Sequence, residues 1–179
     1  TNSDLSTNSY DCLYLDDHCD DNNITNTNIT SSERYALSIY DYSKRTYINN
    51  TNVKCEYRCA YIRSDCDNTI IDNSNITGDH SGGGGEGVIY INADNCIVNN
   101  TNVTGLGERD RGIYISQTSA TIQNTNVQTS GSADAKAFRT SCTYDTTIVK
   151  DSILNASNDD DVYLDCNNNK HNFTNVTFS

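Results

Sequence analysis

The chain repeats itself about every 24 residues. Five clear copies read Ile24-Thr25-Asn26-Thr27-Asn28-Ile29, Ile48-Asn49-Asn50-Thr51-Asn52-Val53, Ile71-Asp72-Asn73-Ser74-Asn75-Ile76, Val98-Asn99-Asn100-Thr101-Asn102-Val103 and Ile122-Gln123-Asn124-Thr125-Asn126-Val127. A looser sixth copy is Val149-Lys150-Asp151-Ser152-Ile153-Leu154, and a seventh, from His171 to Val176, keeps only Thr174-Asn175-Val176. The closing apolar residues fall at 29, 53, 76, 103, 127, 154 and 176, giving steps of 24, 23, 27, 24, 27 and 22. A period of this size describes stacked supersecondary units that share one continuous core.

The composition alone would suit a disordered chain: 35% hydrophobic, with no Met, Trp or Pro. The apolar positions recur in register, however, and each unit needs few inward side chains when its neighbours complete the burial. The length of 179 residues suits one domain. The net charge of -12 disfavours nucleic acid and anionic membrane as partners. No run of apolar residues is long enough for a transmembrane helix, so membrane insertion is not expected. With no initiator Met and no signal-like segment, the chain is expected to be a processed or truncated product. Eight cysteines without a Cys-x-x-Cys pair favour disulfides in an oxidising compartment over zinc.

A second element precedes each copy: Leu13-Tyr14-Leu15, Ile39-Tyr40-Asp41, Ala60-Tyr61-Ile62, Ile89-Tyr90-Ile91, Ile113-Tyr114-Ile115, Phe138-Arg139-Thr140 and Val162-Tyr163-Leu164. Alternate residues of a strand face opposite sides, so the flanks point inward and the central residue outward. In the asparagine motif the opening and closing apolar residues are five apart, an odd number that one flat strand cannot turn inward at both ends. The bend belongs at Asn26, Asn50, Asn73, Asn100, Asn124 and Asp151, residue types that tolerate left-handed backbone. Stacked at one corner, their side chains are expected to bond along the axis as a ladder. Thr27, Thr51, Ser74, Thr101, Thr125, Ser152 and Thr174 then point inward.

Each coil therefore holds a Tyr strand, an Ile strand and a Thr-x-Val strand. With Ile-x-Asn-Thr-x-Val runs placing Asn at the tight second turn, this layout resembles the right-handed parallel β-helix of the pectate-lyase-like superfamily. Gly87-Val88-Ile89-Tyr90 and Gly112-Ile113-Tyr114 are similar, less closely, to polymorphic outer-membrane-protein repeats. The expected fold is all-β: a right-handed parallel β-helix (β-solenoid) of about seven coils, each with three short strands. Residues 12–179 form the single domain and 1–11 an N-terminal extension. The resemblance bears on fold and says little of activity, because this fold hosts lyases, hydrolases, adhesins and fibres.

Equivalent positions on adjacent coils lie about 4.8 Å apart, close to disulfide reach. Cys142 and Cys166 each follow the outward residue by three, and Cys66 and Cys96 follow Tyr61 and Tyr90 by five and six. The pairs expected are Cys12–Cys19, Cys55–Cys59, Cys66–Cys96 and Cys142–Cys166. Such bridges would oppose fraying of a thin stack.

Nine Asn-x-Ser/Thr sequons begin at Asn23, Asn28, Asn49, Asn75, Asn99, Asn102, Asn155, Asn172 and Asn175. An Asn/Thr-rich repeat creates sequons by accident. The cysteines point to a secretory route, though, where exposed sequons acquire covalent N-glycans. Asn28, Asn75, Asn102 and Asn175 are expected to face outward. The outward tyrosines Tyr14, Tyr40, Tyr61, Tyr90, Tyr114 and Tyr163, with Arg139 in the remaining coil, should form a stripe. It serves either as cross-strand stabilisation or as a docking face for sugars or a neighbouring chain.

No catalytic cluster emerges. In polysaccharide lyases and hydrolases of the resembling superfamily the acids and bases lie on the face equivalent to the Tyr strand, near the middle coils. The outward positions there are Arg63, Val88, Asn92, Gly112 and Ser116. Asp16 and Asp165 share the face but lie roughly 29 Å apart, at about 4.8 Å per coil, against about 5 to 10 Å for glycosidase carboxylates. Glu86, Asp94, Glu108, Asp110 and Asp145 read as solvated charge, and His18, His80 and His171 fall in unrelated coils. The acidic clusters at 16–21 and 159–161 are of a kind that could attract calcium. Neither follows a calcium-loop spacing, so both read as solvated loops and no cofactor or metal is expected. The glycine-rich segment 81–87 lacks the Lys-Ser/Thr of a phosphate loop and reads as a bulge. An outward Asn-x-Thr row suggestive of ice binding is interrupted by Lys54, Gln128 and Ile153.

No capping helix is recognisable at either end of the repeat, which suggests a fragment or a subunit capped by its neighbour. The reading is an extracellular, non-enzymatic structural protein: a glycosylated, disulfide-stapled β-helix building a fibre or surface coat by head-to-tail stacking of copies. The alternative is a carbohydrate-binding or adhesion module whose Tyr stripe meets extracellular polysaccharide, and the third a polysaccharide lyase or hydrolase.

Overall fold

A computed structural model describes residues 3–79, 87–108, 110–116, 118–131, 135–141, 146–157, 160–165 and 170–179. These form 22 strands and no helix. The strands lie in three parallel sheets of eight, seven and seven, each holding one strand from every turn of a β-solenoid with three strands per coil. The tyrosine sheet contains Leu13–Leu15, Leu37–Ile39, Ala60–Ile62, Gly87–Ile91, Arg111–Ser116, Lys136–Ser141 and Val162–Leu164. An isoleucine sheet and an asparagine–threonine sheet close the other two sides.

The corner between the last two sheets follows from backbone preference. Asn26, Asn50, Asn73, Asn100, Asn124, Asp151 and Asn175 all have φ between 45° and 53°, where a short polar side chain is tolerated best after glycine. Immediately afterwards, Thr27, Thr51, Ser74, Thr101, Thr125 and Ser152 turn into the core and are buried. Each hydroxyl donates across the corner to the carbonyl two residues earlier, at 2.7–3.0 Å. The residue type that fits the narrow interior thereby also satisfies its own polar atom, which would otherwise cost about 1–3 kcal/mol.

The core is a column of stacked aliphatics. Ile48, Ile71, Val98 and Ile122 come from one wall, Ile29, Val53, Ile76 and Val103 from the next, and Leu37, Ile62, Ile89 and Ile113 from the tyrosine sheet, all buried. Each such side chain contributes about 1.5–3 kcal/mol of hydrophobic stabilisation.

Four expectations are corrected. The N-terminal extension continues the solenoid: Ser3–Thr7 pairs in register with Thr27–Ser31. The second tyrosine-sheet strand is Leu37–Ile39, with Ser38 opposite Tyr14 and Tyr61, so Tyr40 lies just beyond it. In the last coil Val149 pairs with Phe173 and Leu154 with Phe178. Asn175 is therefore the corner residue rather than an outward strand residue, Phe178 rather than Val176 closes the motif, and Thr174 stands exposed opposite Lys150. Finally, Val88 and Gly112 are buried rather than outward, the former against Gly78 and the latter against Val127 and Ala137.

The amide ladder also runs elsewhere. Direct corner-to-corner bonds join Asn50 Nδ2 to Asn26 Oδ1 and Asn175 Nδ2 to Asp151 Oδ1. Asn73, Asn100 and Asn124 instead donate to Asn49, Asp72 and Asn99, one residue before the corner of the preceding coil. The continuous ladder is one column over, in the outward residues of the asparagine–threonine sheet. There Asn28 donates to Asp4, Asn52 to Asn28, Asn75 to Asn52 and Asn102 to Asn75, at 2.6–3.1 Å.

Candidate functional site: a cation-capped tyrosine face

The tyrosine face exists because its strands bury both flanking residues. Ala60 and Ile62, Ile89 and Ile91, and Ile113 and Ile115 are each no more than 1% exposed, which forces the central ring outward. Register aligns Tyr61, Tyr90 and Tyr114 directly. The buried, small Ser38 leaves a gap that Tyr40 fills from the following residue pair. Ring centroids then run unbroken: Tyr14–Tyr40 at 5.1 Å, Tyr40–Tyr61 at 5.3 Å, Tyr61–Tyr90 at 5.1 Å and Tyr90–Tyr114 at 5.2 Å. These spacings lie in the favourable range for aromatic pairs. The middle rings are half-buried, and only Tyr14 and Tyr163 at the ends are exposed.

Cations cover the rings. Among the described residues six Lys and Arg side chains, Arg34, Arg58, Arg63, Arg111, Lys136 and Arg139, lie over tyrosines. Arg58 is only 9% exposed and makes the closest approach, with its guanidinium 4.3 Å from the Tyr61 centroid and 4.4 Å from that of Tyr90. Arg139 takes the tyrosine's place in its coil and bridges Tyr114 and Tyr163 at 5.3 and 5.1 Å. A desolvated contact of this kind contributes about 2 kcal/mol, an exposed one about 0.5–1. Burial and the neighbouring Tyr61, Tyr35 and Asp11 push the Tyr40 phenol far above its usual range, so it stays a neutral donor. At the Tyr114 end the phenol oxygen bonds Ser141 Oγ at 2.7 Å.

The Cys55–Cys59 disulfide forms as expected. It closes the short loop that carries Tyr57 and Arg58 over the face. The other expected bridges within the described residues are not made: Cys12, Cys19, Cys66 and Cys96 are free thiols. Cys96 stands in register with Ala120, beside Thr69, while Cys66 packs against the backbone of Tyr42 and Ser43. Cys142 and Cys166 lie outside the described residues.

The carboxylates do not converge. Asp165 lies 3.7 Å from Arg139, whereas Asp16 is on the first coil beside Tyr14. Asp110, expected in solvent, is buried, and its Oδ2 accepts the Gly107 N–H at 2.7 Å. Asp94 accepts the Thr118 hydroxyl at 2.6 Å and the Ser119 N–H, a structural role. Glu108 is exposed. In the first acidic cluster Asp20 and Asp21 hold Arg45, and Asp17 meets His18. Of the second, Asp160 lies 3.7 Å from Lys136 and Asp161 accepts the Ala156 N–H. Among the described residues no three His, Cys, Asp or Glu side chains gather as a metal site would require. Burial lowers the pKa of His171. His80, the segment 81–86, Glu86, Asp145 and Asp159 lie outside the described residues.

The sequons separate by exposure. Asn28, Asn75 and Asn102 are exposed in the outward ladder, and Asn23, Asn172 and Asn175 are exposed as well, while Asn155 is half-buried. Asn49 and Asn99 are half-buried, and their sequon hydroxyls, Thr51 and Thr101, are inside the core.

Sequence reading placed the stripe, with Arg139 in it and Arg63 on its face, but missed Arg34, Arg58, Arg111 and Lys136, together with Tyr10 and Tyr35. Arg34, Arg58 and Arg63 come from loops that the repeat does not constrain. The nearest signal was the Cys55–Cys59 bracket around Arg58. Fold and face together define a parallel β-solenoid with a cation-capped tyrosine sheet. No protein-family model matches this chain, and neither a curated protein nor a solved structure does.

Proposed function

We propose that this chain is a non-catalytic recognition element of an extracellular surface coat, a rigid β-solenoid whose tyrosine face docks an extended polysaccharide. The observation that carries this reading is the row Tyr61–Tyr90–Tyr114, with guanidinium groups beside the rings along one axis. Half-buried, edge-to-face rings offer a fixed, corrugated apolar surface at little entropic cost, and guanidinium groups donate to hydroxyl or carboxylate oxygens. A repeating ligand suits a repeating face. The Cys55–Cys59 disulfide supports an oxidising, extracellular setting, and the exposed asparagines of the outward ladder are where N-glycans would be carried.

Affinity electrophoresis against neutral and acidic polysaccharides tests the reading. Retardation should appear with the native chain and fall about threefold to tenfold for each of Tyr90→Ala and Tyr114→Ala, the worth of one aromatic contact. Retention of full binding by the double variant, or no retardation on any polysaccharide, would remove the proposal.

A further inference from the structure

Tyr14 breaks the rule that governs the rest of the stripe. Tyr40, Tyr61, Tyr90, Tyr114 and Tyr163 each lie under at least one cation of their own chain. Among the described residues, no Lys or Arg lies over Tyr14. It is also the most acidic stretch of the stripe. Asp11, Asp16 and Asp41 all act on the Tyr14 phenol, and Asp16 bonds to it. No cationic group reaches ion-pair distance of Asp11 among the described residues. Its carboxyl is half-buried and pushed upward by that burial, with the Ser38 hydroxyl and the charge of Arg34 opposing. A ring without a cation therefore stands beside a carboxylate without an ion pair.

The two share a depression of about 390 Å³ lined by Tyr10, Asp11, Tyr14, Arg34, Tyr35 and Tyr40. Its rim already takes a cation: the Arg34 guanidinium lies 5.6 Å from the Tyr10 centroid. Tyr14 is 49% exposed and Tyr10 68%, so both rings present surface to an incoming group. Aromatic rings next to a carboxylate form the arrangement that holds organic cations, the rings through their π-faces and the carboxylate through charge. We propose that this depression is a binding site for an organic cation, an ammonium or guanidinium group that caps Tyr14 and neutralises Asp11. Two sources share this chemistry: a small alkylammonium ion, or the side chain of a basic partner segment. The site lies on the first two coils and goes beyond the polysaccharide reading, which rests on Tyr90 and Tyr114.

Titrations followed by the aromatic proton resonances of Tyr14 and Tyr40 decide the matter. The probes are tetramethylammonium, N-acetyl-arginine methylamide and, as a neutral isostere, N-acetyl-citrulline methylamide. Saturable shifts are expected with one or both cations and none with citrulline. Saturation by tetramethylammonium alone assigns the site to small amines, and saturation by the arginine derivative assigns it to a partner side chain. Asp11→Asn keeps the hydrogen-bonding shape and removes the charge, and should weaken binding about tenfold. Tyr14→Leu should do the same, and Tyr90→Ala should leave cation binding unchanged. The proposal is overturned if citrulline binds as well as arginine, if Asp11→Asn binds undiminished, or if neither cation saturates. None of those results touches polysaccharide binding, which is read separately on Tyr90 and Tyr114.

Discussion

One amide per coil turns the chain. At Asn124, φ is 50° and the side chain reaches Asn99 of the preceding coil at 2.9 Å. An alanine there must adopt left-handed backbone at a cost of about 1–2 kcal/mol and gives up that hydrogen bond. Glycine loses only the bond. Urea denaturation should therefore rank native above Asn124→Gly above Asn124→Ala, and equal destabilisation of the two variants would show that the ladder, not the backbone, fixes the corner. The corners were legible in the sequence because an odd spacing between two inward residues leaves no other place for a bend. The last corner was misplaced for a specific reason: Thr174-Asn175-Val176 spells the Thr-Asn-Val of earlier copies two residues out of phase. The stacking of Phe173 on Val149 and Phe178 on Leu154 overrides the spelling. The short final step of 22 was the one warning. Aligning Phe178 with Leu154 restores a step of 24.

Strands obey the register of their neighbours more than their own composition. Ile39-Tyr40-Asp41 looks like the other Tyr triplets, yet Leu37–Ile39 forms the strand because it sets two large aliphatics inward where Asp41 cannot go. Position-specific packing decides Gly112 as well. A Cβ there would press on Val127 Cγ1 and come within 2.6 Å of the Ala137 carbonyl. Backbone cannot yield cheaply, so Gly112→Ala should destabilise by at least the ~1–3 kcal/mol typical of overpacking, seen as a lower urea midpoint. A change under ~0.5 kcal/mol would contradict this packing. The failed Cys66–Cys96 pairing has a similar origin. Counting from the tyrosines equates two positions that differ once the loops differ in length, and the two thiols, though close enough for Cys66 to act on Cys96, are left unbonded. Burial pushes Cys66 up to about 11 and Cys96 up to about 12. At pH 8 both should resist a thiol reagent in the folded chain while exposed Cys19 reacts, and all should react in denaturant. Because folding favours their neutral form, the associated stability is complete below the ordinary thiol value of 9.0 and declines as pH rises through it towards the folded values. Rapid labelling of Cys96 at pH 8 without denaturant would show that the core opens there.

For the whole molecule, the stacked architecture was readable because a repeat and its core are the same fact seen twice. The chemistry of the face was only partly so: Arg111, Lys136 and Arg139 stand in its strands, but Arg34, Arg58 and Arg63 enter from connections that the repeat does not constrain. Charge is the remaining global property. The chain carries 24 Asp and Glu against 12 Lys and Arg, and among the described residues six of those cations gather on the tyrosine face. The corner between the tyrosine and isoleucine sheets carries an excess of acid, with Asp16, Asp17, Asp20 and Asp21 on the first coil, Asp41 beside Lys44 and Arg45 on the second, Asp65 and Asp67 on the third and Asp94 on the fourth. Coils stack about 4.8 Å apart, so at 0.01 M salt, where screening acts over about 30 Å, each acidic corner repels several others. Two effects oppose each other as salt rises. Screening weakens the ion pairs of Arg45 and Lys44, but these lie at the surface, partly exposed, and contribute about 0–1 kcal/mol each. Screening also removes the self-repulsion of twelve excess negative charges on a narrow stack, which is the larger quantity. Thermal denaturation should accordingly show Tm rising by a few degrees between about 0.01 M and 0.5 M sodium chloride, about 2–4 °C per kcal/mol for a chain of this length. A falling Tm over the same range would mean that the corner ion pairs, rather than the excess charge, dominate the electrostatics of the stack.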